Sequence, residues 1–410
     1  MLSILQGDVF ERLKDLPNDC VQCVVTSPPY FGLRDYKIPP TIWSDRWTGC
    51  LGNEPTPQLF VQHIVDVFRE ARRVLRPDGV MFLNIGDSYA ANRTYQVSDS
   101  KWKGAISNQA PKIPPGLKPK DLMLIPERLA IGLQDDGWYI RSRIAWTKSN
   151  CMPESTKDRP TSCWEHIWMI TKSPTYFWDK VAGLEPFANS SIQRISQGSF
   201  DTQTGGEKDY GLTGVNKSRS ARKSIENFKK SIEEGTSGRN IRNHWPINPR
   251  PLKEAHFATF PVDLPHKAIV VATSEKGCCP ACRAPWKRIA EKGDPDAAHQ
   301  ALCGADSTGS YAGTAQKDYA SAKAQDPSAT KARILAGMVK KVTVGWLPTC
   351  SCPHNDPIPC LVLDPFSGAG TTLLAAEMLG RDAVGIELNP DYVDIAKKRL
   401  DTEVWDVCMW

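Results

Sequence analysis

Short apolar runs alternate with helical spacings over the first 180 residues. Leu2 to Leu5 is an apolar run broken by Gly7-Asp8, Val9 to Leu16 has helical spacing, and Val21 to Val25 is a second run. Two strands joined through a short helix predict a parallel βαβ unit. Ile64, Val67, Phe68, Ala71, Val74 and Leu75 then recur at helical intervals, and Arg76-Pro77-Asp78-Gly79 reads as the stop before a strand over Val80 to Ile85. A helix over about Pro126 to Gln134 and strands over Tyr139 to Trp146 and Glu165 to Thr171 follow. Near the other end the pattern resumes with a strand at Cys360 to Leu363, a helix at Thr371 to Leu379, a strand at Ala383 to Ile386 and a helix at Tyr392 to Leu400. This alternation predicts an α/β fold with an open, doubly wound sheet.

Two stretches break the pattern. Residues 181–250 are rich in Ser, Gly, Asn and Lys, as expected of a loop-rich insertion or a small appended unit. Nine Lys or Arg against three Glu in 217–250 give a surplus of six, more than the net +5 of the whole chain. Basicity this local suits a phosphate-binding face, although a solvated loop has the same composition. Residues from about 292 to 340 are Ala, Asp, Ser and Lys rich and read as a surface excursion. No apolar run approaches a membrane span, and the first residues lack the charged start and long apolar stretch of a signal peptide, so a cytoplasmic protein is expected.

Thirteen cysteines, an odd number, argue against a disulfide framework. Cys20, Cys23, Cys50, Cys151, Cys163 and Cys408 stand apart and read as buried small apolar residues. Cys279-Pro280-Ala281-Cys282 has the gap of a zinc knuckle, and Cys350-Ser351-Cys352 could supply the second pair after about 67 residues. Cys278, Cys303 and His354 are alternative donors; structural zinc is the reading favoured, and four reduced thiols that are merely neighbours are the alternative.

Two motifs carry chemistry. In Asp364-Pro365-Phe366-Ser367-Gly368-Ala369-Gly370-Thr371 an acid ends a strand, glycines let backbone approach a ligand, and a helix begins at once with free amides. The loop matches neither the GxxxxGK[ST] phosphate loop nor the GxGxxG dinucleotide turn. A second acid, Glu387, follows 23 residues later, near the spacing at which such folds bind ribose hydroxyls. The other motif is Thr26-Ser27-Pro28-Pro29-Tyr30, directly after an apolar strand. Its prolines remove competing N–H donors, Ser27 adds a hydroxyl acceptor, and Tyr30 offers a flat face, so the turn could grip a planar base through an amine. A plain strand-ending turn is the alternative.

Together these motifs resemble the paired signatures of the DNA amino-methyltransferases, S-adenosylmethionine enzymes that modify cytosine-N4 or adenine-N6. The catalytic motif precedes the cofactor motif, which is similar to their β-type, circularly permuted order. The likeness extends to Gly7-Asp8, Arg76 to Gly79, Gly86 to Tyr89, Asn150 to Thr161, His256 to Pro261 and Gly385 to Pro390. It implies a Rossmann-like, mostly parallel sheet. Residues 1–180 would be the catalytic half, 181–250 the target-recognition insert, 251–277 a cofactor-closing segment, 278–354 a Cys-rich, zinc-clipped insert and 355–410 the S-adenosylmethionine half. Asp364, Pro365, Phe366, Gly368 and Gly370 would belong to the cofactor loop. Thr371 would hold the methionine carboxylate, Glu387 the ribose hydroxyls and Asp8 the adenine, with Thr259 and Phe260 closing over the methionine end.

The resemblance also implies a mechanism in which a flipped base presents its amine to Ser27 and the Pro28 carbonyl, with Pro29 stiffening the turn and Tyr30 stacking on the ring. Carbon-5 methylation would need a nucleophilic Cys after Pro, and the only such pair, Pro359-Cys360, leads into the cofactor strand. Ser at the first motif position favours cytosine-N4 over adenine-N6 in double-stranded DNA. Methylation of RNA or a protein amide, and a non-enzymatic zinc DNA-binding module, are the competing readings. Trp164, Trp168 and Trp178 could stack on bases or fill a core.

Overall fold

The computed structural model describes residues 1–32, 40–90, 113–114, 116–151, 153–186, 238–249, 259–295, 339–353 and 356–407. In chain order its elements are β1 (Leu2–Gln6), α1 (Val9–Lys14), β2 (Val21–Thr26), β3 (Thr41–Ile42), β4 (Thr48–Gly49), α2 (Pro57–Val74), β5 (Leu75–Ile85), α3 (Ile125–Asp135), β6 (Tyr139–Thr147), β7 (Trp164–Thr171), β8 (His244–Pro246), α4 (Asp263–Ala272), β9 (Trp286–Pro295), β10 (Val339–Pro348), β11 (Leu361–Asp364), α5 (Thr371–Met378), β12 (Asp382–Glu387) and α6 (Pro390–Val407). Contacts divide the chain into two units, one of 1–179, 242–287 and 348–410, the other of 180–241 and 288–347.

The first unit holds an eight-stranded sheet ordered β1-β12-β11-β2-β5-β7-β6-β8. The run from β1 to β5 is parallel, β7 is antiparallel to β5 and β6, and β8 pairs parallel with β6. The first strand thus lies beside the last, which is the permuted, Rossmann-like arrangement expected from the order of the motifs. Central strands are buried on both faces, so β2 (VQCVVT) is buried at every position and β11 at three of four. Near the edge, β6 instead alternates exposed with more buried residues. Helices α1, α2 and α3 pack together, as do α4, α5 and α6.

Helix α2 shows how the local sequence sets an element. Thr56 caps it by accepting from the Leu59 N–H at 3.2 Å, Pro57 occupies the first turn, and Phe60, Ile64, Val67, Phe68, Ala71 and Val74 form its buried stripe. The stop expected at Arg76 to Gly79 takes a different form. Leu75 is already strand, fully buried and paired with Val21, while the next paired residues are Cys23 and Val80. Arg76 to Gly79 therefore stand opposite Gln22 alone, three extra residues in the ladder, a bulge closed by the Arg76–Asp78 pair at 2.8 Å.

One further expectation needs correction. Cys151 and Cys163 are not isolated apolar residues. They flank the loop that leaves the paired end of β6 and β7, where Thr147 faces Trp164, and they form a disulfide with Cα atoms 5.2 Å apart. Within the loop-rich stretch 181–250, β8 joins the main sheet, and its Trp245 is 1% exposed against Phe82. Most of that stretch, with the basic run up to residue 237, lies outside the described residues, as do Cys303, His354, Cys408 and Ala258. Cys20 and Cys23 are buried as expected, Trp168 is 8% exposed, and Trp164 is exposed beside His166.

In the second unit the described residues form a bridge between Glu185 and Arg239 and the strand segments whose Arg288 bonds Thr343 and lies over Trp346. Strands β9 and β10 pair as the legs of the surface excursion. Among the described residues no helix is long and apolar enough to cross a membrane.

Candidate active site

A cleft opens where β1, β12, β11 and β2 end. Going along the chain, β11 leads through α5 to β12 on one side, whereas β2 leads through α2 to β5 on the other, so the cleft sits at a switch point of an open α/β sheet. It is lined by Gly7 and Asp8 after β1, Ser27 and Pro29 after β2, Asp364 to Ala369 and Thr371 after β11, and Glu387 to Asn389 after β12. Thr259 and Phe260 also line it. Residues at the two ends of the sequence thus share one cavity. Of the expected site residues, Pro28, Tyr30 and Gly370 are not on its wall.

The acids in the cleft are held differently. Asp364 is 1% exposed; its Oδ1 accepts from the Thr26 hydroxyl at 2.6 Å and the Phe366 N–H at 3.1 Å, and its Oδ2 accepts from the Thr372 hydroxyl at 2.6 Å. Burial pushes its carboxyl up to about 6, opposed by those donors. Asp364 therefore shapes the loop, with its oxygens turned inward. Glu387 accepts from the Gly368 N–H on one oxygen and the Asn389 N–H on the other, each at 2.8 Å. Burial raises its pKa while these backbone donors lower it. A carboxylate has about four lone-pair sites, so these backbone donors leave acceptor capacity for a ligand. Asp8 caps α1, its Oδ1 accepting from Phe10 and Glu11, and Thr41 donates to Oδ2 at 3.3 Å.

Gly370 works from behind the wall. Its φ of +75° starts α5, and a Cβ there would lie 3.0 Å from Ala396 Cβ. Buried Arg399 donates to the Ala369 carbonyl at 2.7 Å and to Thr371 Oγ1 at 3.1 Å, bringing positive charge to the start of α5.

The Ser27 to Tyr30 turn is backed by a polar network. Ser27 Oγ donates toward Asn84 Oδ1 at 3.3 Å and the Tyr30 oxygen at 3.4 Å. Tyr30 donates to Glu165 Oε2 at 2.7 Å and lies 3.0 Å from Asn84 Oδ1. Lys148 pairs with Glu165 and sits over the Trp146 ring. The bare Cα of Gly86 makes room for the phenol, since a Cβ there would come within 2.5 Å of its ring.

Sequence reasoning missed Asn84, Glu165 and Lys148, and also Thr41, Trp43, Cys50, Leu51 and Tyr392 on the cleft wall. Asn84 did carry a signal: it is the one amide within the apolar run Val80 to Ile85, which a buried strand tolerates only with hydrogen-bond partners. The β3–β4 ribbon has no periodicity that would have revealed it.

Apart from the cleft, Cys279, Cys282, Cys350 and Cys352 converge. Their four sulfurs all lie within 4.8 Å of one another. Cys278 is not among them; its thiol faces the Pro359 carbonyl.

A family model described as DNA methylase, of the N6/N4 methyltransferases, matches residues 21–279 and 350–398. The Type II methyltransferase M.Cfr9I of Citrobacter freundii is 33% identical over 98% of this chain and 88% of its own. The Type II methyltransferase M.SmaI of Serratia marcescens is 31% identical over 97% of this chain and 90% of its own. Among solved structures, the cytosine-N4-specific PvuII DNA methyltransferase aligns over 99% of this chain and 90% of that one, at 16% identity and a TM-score of 0.48. With the family's model matching on both sides of the Cys-rich insert, the chain belongs to the N6/N4 family of S-adenosylmethionine-dependent DNA methyltransferases.

Proposed function

We propose that this chain methylates the N4 amine of cytosine in double-stranded DNA, acting on a base turned out of the helix. The observation that carries this reading is that Ser27 and Pro29 line the same cavity as the Asp364 to Thr371 loop and Glu387. An amine buried in a base pair cannot reach such a cleft, so flipping is required. Ser at position 27 favours cytosine over adenine, by the resemblance of this turn to the cytosine-N4 form of the motif.

The donor set fits S-adenosylmethionine. Glu387 keeps acceptor capacity for two ribose hydroxyls, and Asp8 offers an acceptor for the adenine amine. The start of α5, with Thr371 and Arg399 beside it, suits a carboxylate. Thr259 and Phe260 contribute a wall at the methionine end. When bound, S-adenosylmethionine supplies an electrophilic methyl, which the amine takes as the carbon–sulfur bond breaks and one amine proton passes to water. The protein's part is to hold the amine: Ser27 Oγ and the Pro28 carbonyl accept hydrogen bonds from its two N–H groups, which draws the nitrogen lone pair out of the ring. By the same resemblance, Tyr30 would stack on the base. Nucleoside mass spectrometry of DNA from cells expressing the protein tests the reading. N4-methylcytosine is expected, N6-methyladenine selects the sister reaction, and neither base overturns the proposal.

The four convergent cysteines hold a structural zinc ion. Tetrahedral thiolate coordination at about 2.3 Å sets sulfurs about 3.8 Å apart, compatible with the observed cluster. Four protein ligands leave no open position, so the ion takes no part in methyl transfer.

A further inference from the structure

We propose that Asn84 is the positioning residue that turns the Ser27 hydroxyl into a pure acceptor for the target amine; this rests on the methyltransferase reading above. A serine hydroxyl has one hydrogen and two lone pairs, and it helps an amine proton leave the ring plane only if its own hydrogen points elsewhere. Among the described residues, the two acceptors within reach of that hydrogen are Asn84 Oδ1 and the Tyr30 oxygen, at 3.3 and 3.4 Å. Ser27 itself lines the cleft. With the hydrogen drawn into this network, the lone pairs are left for the cleft side.

The network is ordered from its charged end. Tyr30 has a single hydrogen, and the Glu165 carboxylate at 2.7 Å takes it in preference to the amide oxygen of Asn84 at 3.0 Å. The Tyr30 oxygen is then an acceptor toward Ser27. Asn84 cannot turn over, because its Nδ2 faces two acceptors, the His166 carbonyl at 3.1 Å and Glu165 Oε2 at 3.3 Å. Reversing the amide would set its oxygen against both. Asn84 is 2% exposed on β5, opposite Ile167 of β7, so it is locked between strands rather than free to follow the substrate. Lys148, paired with Glu165, holds its carboxylate in place. The chain thus fixes the direction of one hydroxyl hydrogen before any base arrives.

A double-mutant cycle tests this, using Ser27→Ala, Asn84→Ala and the two combined. Turnover on DNA, S-adenosylmethionine affinity by calorimetry and melting temperature are measured for each. Asn84→Ala is expected to lower kcat at least tenfold while donor affinity stays within twofold of wild type. Because Asn84 acts through Ser27, the combined variant should be no slower than Ser27→Ala alone. Independent losses that multiply, or an Asn84→Ala enzyme with wild-type kcat, overturn the proposal. If Asn84→Ala fails to fold, Glu165→Gln provides the second arm. It keeps the side-chain volume, removes the charge that claims the Tyr30 hydrogen, and should show the same non-additivity with Ser27→Ala; multiplying losses there overturn the proposal equally. A wild-type protein that binds S-adenosylmethionine yet methylates no DNA would remove the underlying reading, whereas an active wild type with multiplying losses removes the positioning role alone.

Discussion

Thr26 donates its hydroxyl to Asp364 at 2.6 Å, joining residues 338 positions apart in sequence. The bond ties the end of β2, from which the Ser27 to Tyr30 turn departs, to the end of β11, from which the Asp364 to Thr371 loop departs. The same carboxylate receives Thr372 of α5, so one buried acid holds three segments of the site.

This carboxyl makes stability depend on pH. Its folded pKa is raised from 3.8 to about 6 by burial, so the folded state holds the proton more tightly than the unfolded chain. The resulting stabilisation is fully present below about pH 4 and is lost as pH rises through about 6, a change of about 3 kcal/mol. Asp364→Asn, which cannot ionise, should therefore gain on the wild type between pH 4 and 7. Urea melts across that range measure the difference, and parallel curves for the two proteins would contradict it.

Glu387 should govern donor affinity without touching DNA. Replacing it with Ala removes the acceptor of the Gly368 and Asn389 N–H groups and the expected partner of the ribose hydroxyls. Hydrogen bonds to a charged group are each worth about 1.5–3 kcal/mol, so the donor Kd should rise tenfold or more. DNA binding measured without donor should be unchanged. Calorimetry with S-adenosylmethionine decides the matter, and an unaltered Kd would exclude Glu387 from the donor site.

How much of this was legible in the sequence varies with the kind of constraint. Strands buried on both faces, such as β2 and β11, announce themselves as unbroken apolar runs, and the acids and glycines after them follow from the turns the backbone must make. The Arg76 to Gly79 bulge was hidden because a Pro-Asp-Gly run looks the same whether it ends a helix or is extruded from a ladder. Pairing of Leu75 with Val21 decides between the two, and that pairing is a tertiary fact. Asn84 was visible as an anomaly, but its meaning required Glu165 and Tyr30, which only the β5–β7 register and the Ser27 turn bring beside it. Cys151 and Cys163 were misread for the same reason: only the β6–β7 pairing brings them together.

The cysteine cluster predicts about one zinc per chain by elemental analysis of protein purified without added metal. Cys352→Ser should lower that content and the melting temperature together. The knuckle is bonded to the sheet: Gln22 of β2 donates to the Arg283 carbonyl at 2.8 Å and accepts from the Leu361 N–H of β11 at 2.6 Å. Arg76 also reaches the Cys282 carbonyl. Loss of the ion should therefore loosen the approach to the cofactor strand and weaken donor binding as well. Protein with no metal and eight or more titratable thiols would rule the zinc reading out.

The β3–β4 ribbon yields the last prediction, since it carries Trp43, Cys50 and Leu51 to the cleft wall without a hydrophobic period of its own. What holds it is His63 of α2, 1% exposed and stacked on Trp43 at 4.1 Å, with Trp47 at 5.3 Å. His63 Nδ1 lies 3.0 Å from Glu54 Oε1, and Glu54 Oε2 accepts from the Gly52 N–H at 2.8 Å. Burial raises the pKa of Glu54, opposed by the His63 hydrogen bond, so removing the imidazole leaves a buried acid short of a partner. His63→Ala should cost about 3 kcal/mol or more. It should also raise the donor Kd, because the ribbon that shapes the cleft loses its anchor. His63→Gln, which keeps a donor for Glu54 but loses the stacked ring, should fall between wild type and Ala on both measures. A His63→Ala protein that melts early yet binds S-adenosylmethionine as tightly as wild type would separate the ribbon's packing from the donor site.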